Sequence, residues 1–188
     1  ITNVKNKKDF SPPLLFITCG KQGSHTINKA VFPIIPELVK HYTVVHQLGS
    51  ASAFKDANFA RRLKERMGDL AKRYHTASYY FGKDYATYLR SAAIIVSRCG
   101  AHTCYKIAYL KKRSVLIPIP WVSHNEQMEN ARLTKKFAPT IILEEGNLDP
   151  DSLYRSIIAA GKLPRSTSKQ LVSTNATTKI LAIVHRFV

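Results

Sequence analysis

The stretch VSRCGAHTCYKIA, residues 96–108, decides the fold. An apolar, β-prone run, Ala93–Val96, stops at Ser97-Arg98-Cys99-Gly100, and a helix-like run, Ala101–Leu110, follows at once. Any strand-to-helix connection needs a small residue at such a break. The same break also leaves the first N–H groups of the helix open to an anion. On these residues alone both readings stand, and the surrounding chain has to choose between them.

Outward from this stretch, strand-like and helix-like segments alternate. LLFIT (14–18) is a short apolar run that ends at Cys19-Gly20, as a buried strand does. Residues 24–41 start at a Ser N-cap and keep helical spacing, with Pro33 and Pro36 expected to kink or break the helix. Strands are expected at 42–49, 75–82, 93–97, 114–120 and 140–145, and helices at 59–70, 83–92, 101–110 and 125–137. In the helix over 59–70, Phe59, Leu63, Met67 and Leu70 share one face. The segment 148–161 has Asp149 at a cap position, Pro150 in the first turn and Gly161 as its expected stop. This alternation predicts an α/β domain, a Rossmann-like doubly wound and mainly parallel sheet. Ligands of such sheets bind beyond the carboxyl ends of the strands, so the loops 20–24, 49–52, 81–84, 98–102 and 121–127 carry the functional expectation.

The composition narrows the class. The chain has 188 residues, 45% of them hydrophobic, enough for one domain with a sizeable core. No apolar run approaches the roughly 20 residues of a membrane span. The three cysteines, Cys19, Cys99 and Cys104, form no CxxC pair and read as reduced packing thiols. The seven histidines show no HxxxH or HExxH spacing, so neither a metal nor another cofactor is expected. A formal net charge of +17 implies an anionic partner: nucleic acid, an anionic membrane face or a phosphate-bearing small molecule. An RNP1-type aromatic run is absent, and no nucleic-acid partner is expected. The loop after the first strand, TCGKQGSHTIN, lacks the full GxGxxG and GxxxxGK[ST] spacings, yet it offers two glycines, a cation and a helix start to a phosphate.

Four segments in order, TCGKQGSHTIN (18–28), VVHQLG (44–49), YFGKDYATYLRSAAIIVSRCGAHTCYKIA (80–108) and LIPIPWVSHNEQMENA (116–131), resemble the C-terminal half of the MurG-type glycosyltransferases. That family, glycosyltransferase family 28 with the GT-B fold, carries GGSQGAxxxN, HQxG, FIxDMxxxYxxADLVISRxGAxTxxE and DxQxxNA patterns at matching places. The resemblance implies a domain that binds UDP-N-acetylglucosamine, part of an inverting hexosyltransferase of peptidoglycan synthesis that converts lipid I to lipid II. It implies residues 1–12 as a linker from an N-terminal acceptor domain, 13–164 as the sugar-nucleotide domain and 165–188 as a tail with a helix over Asn175–Phe187. Its implied partners are the lipid-linked acceptor and the anionic inner face of the plasma membrane, with the protein cytoplasmic and peripheral there. The general base would come from the acceptor domain. Two alternatives stand beside this expectation: a non-catalytic sugar-nucleotide-binding paralogue and a basic nucleic-acid-binding domain.

Position by position, the resemblance puts Gly20, Lys21, Gln22 and Gly23 near the diphosphate. It puts Phe81 and Gly82 at the uracil, with Gly82 reading the base edge through its backbone. Gly100, Ala101, His102 and Thr103 aim helix N–H groups at the diphosphate; Gln127, preceded by Glu126, bonds the sugar hydroxyls, and Asn130 closes that motif. Three positions depart from the pattern: Lys21 replaces a serine, Asn125 an aspartate, and Lys106 the glutamate that accepts the ribose hydroxyls. A lysine has three donors and no acceptor, so Lys106 cannot receive those hydroxyl protons. The remaining candidates have structural readings: His46-Gln47 as a strand-end pair, Cys99 and Cys104 as packing residues, Trp121 as a cap on the core, and His102 as either a phosphate contact or a solvent-facing side chain.

Overall fold

The computed structural model describes residues 8–50, 54–121 and 125–167, so the tail helix expected over Asn175–Phe187 lies outside the described residues. Six strands, β1 (Leu14–Thr18), β2 (Thr43–Gln47), β3 (Tyr74–Ala77), β4 (Ile94–Ser97), β5 (Arg113–Leu116) and β6 (Thr140–Ile142), form one sheet in the order β3-β2-β1-β4-β5-β6. Every pair is parallel, with Phe16 of β1 opposite Val45 of β2 and Ile95 of β4. β1 is buried on both faces, which is why it reads as an unbroken apolar run instead of an alternation. The chain leaves β1 toward one edge and returns to β4 on its other side, so the topological switch point lies between β1 and β4.

Two apolar layers sandwich the sheet. Leu15, Ile17, Val44, Ile94, Val96 and Val115 face one side, where α1 (His25–Val31), α2 (Ile35–His41), α3 (Asp56–Arg66) and α7 (Pro150–Lys162) bring Ile27, Leu38, Ala60 and Ile157. Leu14, Phe16, Val45, Ile95 and Leu116 face the other, covered by Leu89, Ile107 and Ala131 of α4 (Gly82–Ser91), α5 (Ala101–Tyr109) and α6 (Glu126–Phe137). Phe16 sits among Tyr80, Tyr85 and Tyr88, its ring centroid 5.7 Å from that of Tyr85.

Local chemistry explains the element ends. The Ser24 hydroxyl accepts from the Ile27 N–H and starts α1. Pro33 and Pro36 do not end the helical path; each occupies the first turn of a new segment, the 3-10 turn Phe32–Ile34 and then α2, where a missing N–H costs nothing. Asp149 and Ser152 form a reciprocal capping box at α7.

Three expectations need correction. The helix expected over 59–70 runs from Asp56 to Arg66, and Gly68, with φ +55°, turns the chain into a 3-10 segment, Gly68–Arg73. Leu63, Met67 and Leu70 still pack on the core, while Phe59 remains half exposed against Phe32. Gly161 does not stop its helix but lies inside α7, where a Cβ would come within 3.3 Å of Ile94 Cδ1 and the Tyr42 hydroxyl. Its value is close approach of helix to sheet. Strands β2, β3, β5 and β6 each end earlier than expected, because the apolar run continues into buried loop residues such as Leu48, Ile117 and Leu143.

The loops after β1 and β2 touch backbone to backbone. A Cβ on Gly49, where φ is +94°, would lie 2.2 Å from the Gln22 carbonyl oxygen, and one on Gly23 would lie 2.2 Å from that of Leu48. Gly49→Ala therefore meets both a clash and a disfavoured backbone, and should lower the unfolding free energy by about 2–4 kcal/mol. Gly146→Ala, with open space around it, should stay within about 0.5 kcal/mol of the parent. Urea titrations of the two variants provide the comparison.

Candidate functional site

Beyond the carboxyl ends of β1, β2 and β3 lies a cavity of about 510 Å³, lined by Thr18, Gly20, Gln47, Tyr79, Phe81, Gly82, Tyr85, Ala86, Thr103 and Lys106. It lies on the β1/β2 side of the switch point, where sheets of this topology hold their ligands. Five of the expected residues meet here: Gly20, Phe81, Gly82, Thr103 and Lys106.

Its walls have distinct chemistry. Phe81 and Tyr79 are exposed rings, nearly parallel, with centroids 6.3 Å apart, which suits them to stack with a planar base. Gly82 has φ +54° and open space above it, so its backbone is approachable. The Tyr85 hydroxyl bonds the side chains of Thr18 and Thr103, and burial raises its pKa, so it stays a neutral phenol. The Lys106 ammonium lies over the Tyr85 ring, 4.9 Å from its centroid. Tyr79 and Tyr85 were not singled out from the sequence; an aromatic doublet in the loop after β3 and a tyrosine on the first turn of α4 were the available signals.

Gln47 frames the cavity. Its amide nitrogen donates to the Gly20 carbonyl at 2.6 Å and its oxygen accepts from the Tyr80 N–H at 3.0 Å, so one buried side chain joins the loops after β1 and β3. The strand-end reading of Gln47 thus holds and gains a positioning role. Lys21 and Gln22 are exposed on the first loop, where Ser50 bonds the Lys21 carbonyl through its N–H and hydroxyl. Gly23 is the contact with Gly49 described above.

Gly100, Ala101 and His102 lie exposed at the start of α5, next to Thr103. Gly100 provides no side-chain cap, and the space where its Cβ would stand is open. The Thr103 N–H already donates to the Gly100 carbonyl at 3.0 Å, so the amides of Ala101 and His102, which have no partner inside the helix, are the donors this uncapped start presents. The turn before it is clamped by α6: Gln127 Oε1 accepts from the N–H of Cys99 at 3.2 Å and of Ile119 at 3.1 Å, and Asn130 Nδ2 donates to the Cys99 carbonyl at 3.0 Å. The expected sugar-hydroxyl contact of Gln127 is thereby confined to its amide nitrogen. Glu126 is exposed and accepts from Asn130. Glu126, Gln127 and Asn130 do not line the cavity. Trp121, expected as a core cap, is 72% exposed and caps nothing among the described residues, because the apolar layer under β5 closes without it.

Beneath this surface are two buried polar systems. Arg98 donates to the Ser24 hydroxyl at 2.9 Å and to the Ile117 carbonyl at 3.3 Å, and its guanidinium pairs with the Glu145 carboxylate. The second system is a chain of side chains. Tyr74 Oη meets His46 Nδ1 at 3.0 Å, His46 Nε2 meets Asn28 Oδ1 at 2.9 Å, and Asn28 Nδ2 donates to Asp56 Oδ2 at 2.7 Å and to the Leu48 carbonyl at 2.9 Å. With both Asn28 protons so directed, Oδ1 is the acceptor, Nε2 carries the imidazole proton and Tyr74 donates to Nδ1. Asp56 ends the chain on His25, at 2.9 Å. Cys19, Cys99 and Cys104 are all buried, and burial pushes the Cys19 thiol up to about 12, so it packs rather than reacts. Among the described residues no three His, Cys, Asp or Glu side chains cluster as metal ligands.

Residues 14–184 match the family model for the glycosyltransferase family 28 C-terminal domain. A Treponema denticola protein named UDP-N-acetylglucosamine–N-acetylmuramyl-(pentapeptide) pyrophosphoryl-undecaprenol N-acetylglucosamine transferase is 32% identical over 144 residues, covering 76% of this chain and 37% of the relative. An Acetivibrio thermocellus protein of the same name is 30% identical over 179 residues, covering 92% of this chain and 47% of the relative. The chain thus spans less than half the length of either. The crystal structure of Acinetobacter baumannii MurG superposes with a TM-score of 0.65 at 18% identity, over 96% of this chain and 55% of that one, a likeness of fold.

The buried His46 makes a pH prediction. Burial depresses its pKa from 6.5 to about 3, so the unfolded chain binds a proton that the folded chain refuses between those values. Its contribution is therefore fully present above about pH 6.5 and lost as pH falls toward 3. Urea unfolding at pH 7 and pH 5 should show His46→Gln losing about 1–2 kcal/mol less than the parent over that step. Parallel pH dependences in the two proteins would contradict it.

Proposed function

The chain belongs to the glycosyltransferase family 28 C-terminal domain family, and from that membership we propose that it binds UDP-N-acetylglucosamine in the cavity at the carboxyl ends of β1–β3. The carrying observation is convergence: Gly20, Gly82, Thr103 and Lys106 come from three separate loops and helices and line one concavity. In this reading the uracil stacks at Phe81 and Tyr79 and meets the Gly82 backbone. The ribose lies by Lys106. The diphosphate lies between Gly20 and Lys21 on one side and the uncapped start of α5, Gly100 to Thr103, on the other. Gln22 and Gly23 shape the first loop, and Gln127, with Glu126 and Asn130, holds the Cys99 turn in register while offering its amide nitrogen to the sugar.

The reaction follows from the relatives' printed activity. An acceptor hydroxyl attacks the anomeric carbon of N-acetylglucosamine, the bond to the diphosphate breaks with inversion, and UDP leaves with the electron pair. Charge grows on the leaving phosphate as this bond breaks. Fixed N–H dipoles and the Lys21 ammonium stabilise that charge without solvent reorganisation. The acceptor is a lipid-linked muramyl pentapeptide, held by an N-terminal domain to which residues 1–12 connect. The protein works peripherally on the inner face of the plasma membrane, to which a net charge of +17 attracts it. Among the described residues no helix is long and apolar enough to cross a membrane.

Calorimetry tests the reading directly. UDP-N-acetylglucosamine should bind saturably and be displaced by UDP; absence of binding at millimolar ligand would overturn it.

Lys106 gives a sharper expectation. A glutamate at this position accepts both ribose hydroxyl protons, and hydrogen bonds to a charged acceptor are worth about 1.5–3 kcal/mol. The opposing repulsion between that carboxylate and the diphosphate, several ångströms away in a solvated cleft, is about 1 kcal/mol or less. Lys106→Glu should therefore tighten UDP binding roughly tenfold at constant salt. Weaker binding in the variant would make Lys106 itself a nucleotide ligand.

A further inference from the structure

At the opposite edge of the sheet, below the amino ends of β1, β4 and β5, lies a second concavity of about 520 Å³. Five cationic residues line it, Lys8, Lys111, Lys112, Arg113 and Arg165, against a single carboxylate, Asp9. It shares no lining residue with the nucleotide cavity.

Cations at this edge have an ordinary structural use. Helices α4, α5 and α7 all end here, and each helix end carries about half a negative charge. Lys112 Nζ donates to the carbonyls of Arg90 and of Ala92, the latter at 2.9 Å, and so closes α4. Arg113 Nε donates to the Leu163 carbonyl at 2.7 Å and closes α7. Magnitudes decide whether this accounts for the whole cluster. Lys8 and Arg165 close no helix end among the described residues, so their two positive charges exceed this use. The excess matches a dianion, which a single carboxylate ligand would not neutralise. An arginine fork and lysine ammonium groups around a concavity are the donor set that phosphate oxygens take.

We propose that this basic concavity is a second anion site, which binds a phosphate or pyrophosphate group independently of the nucleotide cavity. The phosphate has two candidate sources, a free anion and the headgroup of an anionic phospholipid, and the chemistry of the seat is the same for both. The two sites lie at opposite ends of five-residue β1, so occupancy of one leaves room for the other.

The test uses the full chain. Inorganic pyrophosphate is titrated calorimetrically at constant ionic strength, in the presence and absence of saturating UDP. The expected result is saturable binding that survives UDP. Lys8→Gln/Arg165→Gln should weaken it at least fivefold, since both residues carry charge at the surface and neither is buried. Arg61→Gln/Lys72→Gln removes the same net charge elsewhere on the surface and should change it less than twofold. Equal losses in the two double variants, or no pyrophosphate binding beyond what UDP displaces, would overturn the proposal. If UDP itself fails to bind, the nucleotide reading falls while the comparison of double variants still decides this one. Co-sedimentation with phosphatidylglycerol vesicles, against phosphatidylcholine vesicles, assigns the source. Binding that pyrophosphate releases and the Lys8/Arg165 variant lacks marks a headgroup, and binding of pyrophosphate alone marks a free anion.

Discussion

The buried guanidinium of Arg98 is the constraint on which the functional edge depends. It stands at the end of β4, about one-tenth exposed, and reaches Ser24 after β1, the Ile117 carbonyl after β5 and Glu145 after β6. Those are the loops that flank the switch point on both sides. A buried charge is costly unless its donors are met and an opposite charge lies beside it, and here Glu145, itself about one-tenth exposed, supplies the second condition. Only a planar fork of five donors can address a hydroxyl, a carbonyl and a carboxylate at once; a lysine in that place has one point of charge and shorter reach. Through Ser24 the same group also supports the cap of α1, so helix start and loop position are set together.

Around this centre the loops are held by amides and by absent side chains. Gln47 joins the loops after β1 and β3, and Gln127 and Asn130 hold both sides of the Cys99 peptide. Gly23 and Gly49 let two backbones meet where any Cβ would collide. The common result is that polar side chains with two-sided hydrogen bonding are occupied in fixing the backbone. In the proposed nucleotide site this is preorganisation: the N–H groups at the start of α5 are held in place before anything binds.

Much of the fold was legible because β1, β2 and β4 are buried on both faces and so appear as continuous apolar runs between turn signals. Helix starts were legible where a cap is local, as at Ser24 and Asp149. Element ends were less so. Leu48 and Ile117 lie one residue past the ends of their strands, yet they are as buried as strand residues and still donate to the carbonyls of Ala77 and Ser97, so apolar pattern does not mark the boundary. Gly161 reads as a stop because its reason, contact with Ile94 and Tyr42, is tertiary. Of the residues singled out in the sequence, Gly20, Phe81, Gly82, Thr103 and Lys106 line the cavity, whereas the positions of Arg98, Tyr85 and the His46–Asn28–Asp56 chain were not anticipated. Each of those acts through partners 18 or more positions away, which spacing along the chain does not encode.

The sheet's direction gives the two edges opposite electrostatic characters. Each helical crossover begins at the carboxyl edge, where its N–H end is positive, and runs back to the amino edge, where its carbonyl end is negative; α1 and α2 share one such crossover. Five of the seven helices answer this with an acidic residue in the first turn: Glu37, Asp56, Asp84, Glu126 and Asp151. The two without one are α1 and α5, the helices that follow β1 and β4 on either side of the switch point. Lys21 adds a cation before α1, whereas Lys106 lies in the last turn of α5, where the dipole favours it. A cation near a helix start is unfavourable by a few tenths to about 1 kcal/mol at the surface. Omitting the compensating carboxylate at these two helices, and placing Lys21 before the first of them, makes local sense when an anionic ligand completes the charge balance. The amino edge has the reverse arrangement, with cations in excess of the helix ends they serve, so one dipole pattern frames both the missing first-turn acids of α1 and α5 and the surplus base at the other edge.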